Sequence, residues 1–374
     1  MIKIECKLNE NGKEIKGFLV IDSTIKGNSA GGMRLREDLT MEELMLLAKN
    51  MTLKYGFLGI PQGGAKAGIA YNPDAPAEKR KRVISLFGKE IVPFLKNKIY
   101  IPGPDMGTDG ADIQLLLEAA GRRKARKILP PGRSQYYTAL TVFTCANRAI
   151  THLGMKMRNL KIAIEGFGRV GSEVAKLFYD NGAKIVAIST KEGAIYNEKG
   201  LDINLLIKEF ALKGDKCVNF YAKADSISND QLLCLEVNIL SNCALHHSIT
   251  KSNVDKIRAR IICAGANIPV DSKAVDILHA RSILYLPDFV TNCGGVLGTY
   301  LEMAGLKKEE ISNFIPQLIA PQIDKIIMNS QKERIPPTVY AIKIALERFK
   351  KMKESIEGKT LKGKILNPNL IRNI

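Results

Sequence analysis

Three charged residues in the N-terminal half of this 374-residue chain stand in unusual company. Lys54 lies near the end of an apolar helical stretch, and Lys66 sits inside the glycine-rich segment Pro61-Gln62-Gly63-Gly64-Ala65-Lys66-Ala67-Gly68. Asp105 lies in Pro102-Gly103-Pro104-Asp105-Met106-Gly107-Thr108, where flanking prolines stiffen the backbone and hold a carboxylate still. A lysine with little polar company is readily desolvated, which lowers its pKa and suits it to acid–base work. Two lysines and one aspartate meet the needs of imine chemistry at an α-carbon. One cation grips a carboxylate, one activates water and polarises a carbonyl, and the aspartate moves protons to and from an amine.

A second constellation is Gly166-Phe167-Gly168-Arg169-Val170-Gly171, which follows a predicted strand and opens a predicted helix. In that setting the first glycine permits the tight turn, the second admits a pyrophosphate to the backbone, and the third lets helix pack on strand. The helix N-terminus supplies amide donors for the phosphates. About 20 residues on, where an NAD site usually carries an acid, the chain reads Ser189-Thr190-Lys191, with Glu192 beyond. The missing carboxylate removes repulsion against a 2′-phosphate and Lys191 can attract one, so the expectation tilts from NAD towards NADP or dual use.

Composition excludes several classes. The 45% hydrophobic and 25% charged fractions are those of a globular protein. Charges and glycines interrupt every apolar run, so no membrane span is expected. The opening Met-Ile-Lys-Ile-Glu-Cys has no signal-peptide core, and the expected location is cytoplasmic. The net charge of +18 comes from scattered Lys and Arg, with no Trp to stack on bases, so no nucleic-acid partner is expected. Seven cysteines without CxxC spacing argue against disulfides and a zinc site, and His246-His247 is no ligand pair; no metal is expected.

These residues need elements to hold them. The first forty residues look largely strand-like, and Met41–Leu53 has helical spacing, with Thr40 as N-cap and Glu43 completing a capping box. Glu78–Leu95 reads as an amphipathic helix and Ile99–Pro102 as a short strand. Pro130-Pro131-Gly132-Arg133 is the best linker candidate. A helix over Thr138–Leu153 follows, then strand–turn–helix–strand over 161–188. Further apolar runs at Val237–Leu240, Arg260–Cys263 and Ile283–Leu286 alternate with helical stretches, the pattern of a parallel sheet covered on both faces. From Lys307 the chain is helical, with Pro336-Pro337 opening the last helix. The reading is an α/β chain with a substrate and oligomerisation domain over 1–132 and a Rossmann-type dinucleotide domain over 133–329. C-terminal helices over 330–374 return to the first domain.

Several segments, in order and spacing, resemble the glutamate/leucine/phenylalanine/valine dehydrogenase family. They are Ala30-Gly31-Gly32-Met33-Arg34, Met51-Thr52-Leu53-Lys54, Pro61 to Lys66, Gly103-Pro104-Asp105, the Gly166 turn, Gly265-Ala266-Asn267, and Pro287 to Val296. The short N-terminus is similar to that of leucine dehydrogenase. The resemblance implies NAD(P)-dependent, reversible oxidative deamination of an L-amino acid to a 2-oxo acid and ammonia. It implies that Lys54 binds the α-carboxylate with help from Gly31 and Gly32, that Lys66 activates the attacking water, and that Asp105 shuttles protons. Gly103 would line the substrate site. Asn292 would lie near substrate and nicotinamide, Thr138 at the carboxamide, Asn267 at the cofactor, and Ala30 and Thr299 at the substrate side chain. Hydride transfer would accompany domain closure, in a homo-oligomer built through the first domain.

Four departures from the family pattern stand out. Ala30 occupies the place of the lysine that grips a glutamate side chain, and Thr299 is neither the serine nor the aliphatic usual there. A buried γ-carboxylate without a cation is costly, so an apolar or small amino acid is favoured. The alternative is a glutamate enzyme with a relocated cation such as Arg34 or Arg36. Tyr137-Thr138-Ala139-Leu140-Thr141 replaces Ala-Thr-Gly-x-Gly, adding bulk near the nicotinamide. Asn242 stands where proline is common and Ala264 where glutamate is common, and the ribose carboxylate is missing. A non-catalytic regulatory paralogue is the alternative from another class; loss of Lys66 or Asp105 would favour it, and both are present.

Overall fold

The computed structural model describes residues 1–122, 133–244 and 246–357. Most of the expected linker, Pro130 to Gly132, and the end of the chain after 357 lie outside them. The chain divides into two units, Met1–Leu129 with Ile344–Ile374, and Pro130–Lys343.

The first unit is built on β1 (Ile2–Glu10), β2 (Lys13–Ile21), β3 (Ser29–Leu35), α1 (Met41–Leu58), β4 (Gly63–Ile69), α2 (Ala77–Glu90), α3 (Val92–Lys96), β5 (Tyr100–Pro104) and α4 (Gly110–Ala119). Its five strands are ordered β1-β2-β4-β3-β5. β1 and β2 form an antiparallel hairpin and β2 pairs antiparallel with β4, whereas β3 runs parallel to β4 and β5. Phe87, Leu95 and Leu116 pack with Leu8, Leu19, Met33 and Leu35 in one core, and α1 lies along β4. Helix α1 runs to Leu58, a turn beyond the predicted end, because Tyr55, Phe57 and Leu58 are buried. Thr40 caps it by accepting the Glu43 amide, but the Glu43 carboxylate engages Arg34 and Arg36, so an ion-pair network takes the place of the expected capping box. The predicted helix over 78–95 breaks at Ile91, two residues before Pro93, where proline lacks a donor and restricts the residue before it.

The second unit carries α5 (Arg133–His152), β6 (Lys161–Glu165), α6 (Arg169–Asp180), β7 (Lys184–Thr190), β8 (Gly193–Tyr196), α7 (Ile203–Lys213), β9 (Asp225–Ile227), α8 (Asn229–Leu233), β10 (Ile239–Asn242), β11 (Ile261–Cys263), α9 (Ser272–Ala280), β12 (Leu284–Leu286), α10 (Asp288–Thr291), α11 (Gly294–Met303) and α12 (Lys308–Glu333). The sheet order is β12-β11-β10-β6-β7-β8-β9. Five strands, β12 to β7 in that order, are mutually parallel. β8 and β9 extend the sheet antiparallel, through a hairpin turned by Lys191 and Glu192. The chain leaves β6 for β7 on one side and returns to β10 on the other, a topological switch at whose carboxyl edge such sheets bind ligands.

The last helix, α13 (Pro337–Glu357), ends in the first unit. There Arg348 donates to the Phe57 carbonyl at 2.7 Å, and Phe349 and Met352 pack on Ile25.

Candidate active site

Strands β3, β4 and β5 of the first unit bring Arg34, Lys66 and Asp105 together. Gly32 pairs with Gly103 and Met33 with Pro104 across β3 and β5, while Met33 pairs with Ala67 across β3 and β4. Lys66 therefore stands one residue behind that row and Asp105 one residue past it. Lys66 Nζ lies 3.0 Å from Asp105 Oδ2, and Arg34 Nε donates to the same oxygen at 2.9 Å. The glycines make this approach possible. A Cβ on Gly32 would lie 2.8 Å from Asp105 Cβ, and one on Gly31 would lie 1.7 Å from the Ala65 carbonyl oxygen. A Cβ on Gly103, by contrast, would meet nothing within 4 Å, so the space beside that backbone is open. The buried Tyr100 hydroxyl fixes the glycine strand by donating to the Gly31 carbonyl at 3.0 Å.

The electrostatics follow from burial and pairing. Lys66 is 4% exposed. Burial drives its pKa below the ordinary lysine value, helped by Arg34 and opposed by Asp105. Burial alone would raise the Asp105 carboxyl, but Lys66 and Arg34 outweigh it and hold the group well below the usual carboxylate range. The site thus presents an ionised aspartate beside a lysine whose proton is loosened, a pair able to exchange protons with an amine and with water.

Lys54 is buried on α1, and Ala30, half-buried on β3, pairs with Gly64 and Ile101. The two arginines considered as substitute cations are already engaged. Arg34 binds Asp105 and Glu43, and Arg36 binds Asp38 and Glu43.

In the second unit the Gly166 turn has the form the motif requires. Gly166 adopts φ +89°, and a Cβ on Gly171 would lie 1.8 Å from the Gly166 carbonyl oxygen. A Cβ on Gly168, at the N-cap of α6, would meet nothing within 4 Å, leaving room over the first helical amides. These residues fit a pyrophosphate: the backbone of Gly166 to Gly171 would hold it, with Val170 half-buried and Arg169 exposed beside it. Phe167 is buried with its amide donating to the Ser189 carbonyl at 2.6 Å, and the Ser189 hydroxyl accepts the Gly166 amide at 2.9 Å, tying the turn to β7. Thr190 is anchored by donating to the Asp215 carbonyl at 2.7 Å, and Lys191 is exposed at the hairpin turn.

Asn292 and Asn267 come together: Asn292 Nδ2 donates to Asn267 Oδ1 at 3.1 Å and to the Ala266 carbonyl at 2.8 Å. Asn292 Oδ1 is buried and has no hydrogen-bond partner among the described residues. Thr138 donates to the Ser134 carbonyl one turn back at 2.9 Å, and Thr299 is half-buried on α11. The bulk that Tyr137 introduces is taken up by α11, where a Cβ on Gly298 would lie 2.1 Å from its ring; the hydroxyl donates to Glu302 at 2.8 Å.

Two features escaped sequence reasoning. One is the bond from Arg34 to Asp105. The other is Glu165, the last residue of β6, whose buried carboxylate accepts from Asn242 Nδ2 at 2.5 Å. Asn242 in turn reaches the Ser248 hydroxyl at 3.2 Å, so the departure from proline at 242 installs a polar partner for a buried acid. Burial raises the Glu165 pKa, against the hydrogen bonds from Asn242 and Ser248.

Residues 132–356 match the family described as Glutamate/Leucine/Phenylalanine/Valine dehydrogenase, and residues 1–121 match the Glu/Leu/Phe/Val dehydrogenase dimerisation domain. An NADP-specific glutamate dehydrogenase of Synechocystis is 32% identical over 80% of this chain and 75% of its own. An NAD-specific glutamate dehydrogenase of Staphylococcus aureus is 30% identical over 93% of this chain and 88% of its own. In structure, the hetero-hexameric glutamate dehydrogenase from Thermus thermophilus superposes with a TM-score of 0.81 at 21% identity, covering 97% of this chain and 90% of that one. The chain belongs to the glutamate/leucine/phenylalanine/valine dehydrogenase family and is an NAD(P)-linked amino-acid dehydrogenase.

Proposed function

We propose that this enzyme oxidises an L-amino acid with an apolar or small side chain to its 2-oxo acid and ammonia, reversibly. The observation that carries the reading is the 3.0 Å contact of the buried Lys66 with Asp105. In this reading Lys54 holds the substrate α-carboxylate, with backbone at Gly31 and Gly32. Asp105 takes a proton from the substrate ammonium, and Lys66 in its neutral form takes one from the water that attacks the imine. The nicotinamide accepts the hydride from the substrate Cα; Gly166 to Gly171, Thr190 and Lys191 hold the dinucleotide, with Thr138, Asn267 and Asn292 at its nicotinamide end. NADP or dual use is favoured by the exposed Lys191 and by the absence of an acid at 189–191.

Ala30 and Thr299 are assigned to the substrate side chain. Support for an uncharged side chain comes from Ala30 and from the engagement of Arg34 and Arg36 with carboxylates. The second reading, glutamate as substrate, draws on the names of the relatives. Ala30→Lys separates them: the apolar reading predicts that kcat/KM for glutamate rises at least tenfold relative to leucine. No gain for glutamate means that position 30 does not face the substrate side chain. The proposal includes assembly as a homo-oligomer through the first unit, the part that matches the dimerisation domain.

A further inference from the structure

Asp105 carries two oxygens in unequal surroundings. Oδ2 takes both Lys66 Nζ at 3.0 Å and Arg34 Nε at 2.9 Å, whereas no described residue bonds Oδ1. Arg34 is itself held from behind. It is 4% exposed, and its Nη1 donates to Glu43 Oε1 at 2.5 Å. Glu43 sits in the first turn of α1 and also receives Arg36, which leans on Asp38. A guanidinium with two opposite edges occupied by carboxylates cannot rotate without breaking a charge-assisted bond at each end. Lys66 has a flexible stem and, in the reaction, must attend to water and carbonyl as well as to Asp105. A second, immobile donor is therefore needed to keep the carboxylate in one orientation while the lysine changes partners.

We infer that Arg34, braced by Glu43, is a positioning residue for Asp105, pinning Oδ2 so that Oδ1 alone exchanges protons with the substrate nitrogen. The inference rests on the dehydrogenase reading above. It extends it by assigning work to a pair that lies 9 residues apart in the chain, one member on β3 and the other on α1. The charged and titratable groups around the aspartate are Lys66, Arg34 and Tyr100, with Glu43, Arg36 and Asp38 behind the arginine. Removing the Arg34 charge takes away a cation that lowers both Asp105 and Lys66. The acid limb of the rate profile therefore moves to higher pH whichever of the two groups it reports.

The test is steady-state kinetics of the full chain from pH 6 to 10, with NADP and whichever of L-leucine, L-valine, L-phenylalanine and L-glutamate wild type oxidises fastest. Arg34→Gln is expected to lose about tenfold or more in kcat with KM for the amino acid changed less than about threefold. Its acid limb is expected to shift upward by about half a pH unit or more. Glu43→Gln, which keeps the arginine but loosens it, is expected to lower kcat in the same way by a smaller factor, and it serves if Arg34→Gln does not fold. An unmoved acid limb in Arg34→Gln, or a rise in KM at constant kcat in either variant, overturns the inference. Lys66→Ala run alongside keeps the two claims apart: wild-type turnover in that variant defeats the dehydrogenase mechanism itself rather than the role of Arg34.

Discussion

Lys66 and Asp105 reverse the usual order of a surface ion pair, because burial loosens the lysine's proton while two cations secure the aspartate's charge. Lys66 and Arg34 favour the ionised form of Asp105, the form that accepts a proton from the substrate ammonium in the proposed reaction. The Lys66 pKa lies below that of an ordinary lysine, and in the proposed reaction its neutral form accepts a proton from water. The rate kcat/KM is therefore expected to rise with pH through the lowered Lys66 pKa and to level off before pH 10.5, the ordinary lysine value. Lys66→Ala is expected to lose about a thousandfold or more in kcat while thermal melting stays within a few degrees. Gly32→Ala probes geometry rather than chemistry. The added methyl meets Asp105 Cβ at 2.8 Å, so the carboxylate must move, and kcat is expected to fall about tenfold or more. Equal activity in Gly32→Ala would mean that Asp105 has slack which the structure does not display.

The elements explain which parts of this were legible beforehand. The Gly166 turn could be read because strand, glycines and helix are contiguous, and the helices and strands around it follow local periodicity. Lys66 and Asp105 could be read because each sits in a local glycine and proline context. Arg34 bonding Asp105 spans 71 residues, and Glu165 bonding Asn242 spans 77. No local spacing encodes such pairings; strand order does, and the orders β4-β3-β5 and β10-β6-β7 emerge only in the folded sheets. The break at Ile91 and the β8 hairpin were likewise decided by a proline and by a sheet edge rather than by periodicity. Glu165 yields a prediction at this scale. Its folded-state pKa is raised above the unfolded value of about 4.3, so its stabilising contribution is complete below that value and is lost as pH rises through the folded pKa. Glu165→Gln keeps the acceptor for Asn242 and removes the buried charge. It is expected to melt higher than wild type at pH 8 and alike near pH 4. A variant less stable at pH 8 would show that the ionised form is the one the fold prefers.

For the molecule as a whole, the residues proposed to move protons and those proposed to hold the dinucleotide fall in different units. Lys66 and Asp105 stand on a mixed sheet in the first unit, and the Gly166 turn stands on a largely parallel sheet in the second. In the proposed reading a change at position 30 alters the substrate side of the first unit and leaves Lys66 and Asp105 in place. The +18 net charge has no assigned partner in this account, beyond favouring anionic metabolites such as 2-oxo acids and phosphorylated cofactors. Among the described residues no helix is long and apolar enough to cross a membrane. Sedimentation of the purified chain at micromolar concentration is expected to give a single symmetric assembly larger than a monomer; a monomer that remains active would remove assembly from the proposal.

The most direct test of the central claim is nicotinamide absorbance with a panel of L-amino acids, each assayed with NAD and with NADP. Reduction is expected with leucine, valine or phenylalanine, with weaker or no reduction by glutamate and loss of the signal in Lys66→Ala. Reduction with glutamate alone contradicts the reading of Ala30, and absence of reduction with every amino acid, while the chain binds the dinucleotide, contradicts the catalytic assignment of Lys66 and Asp105.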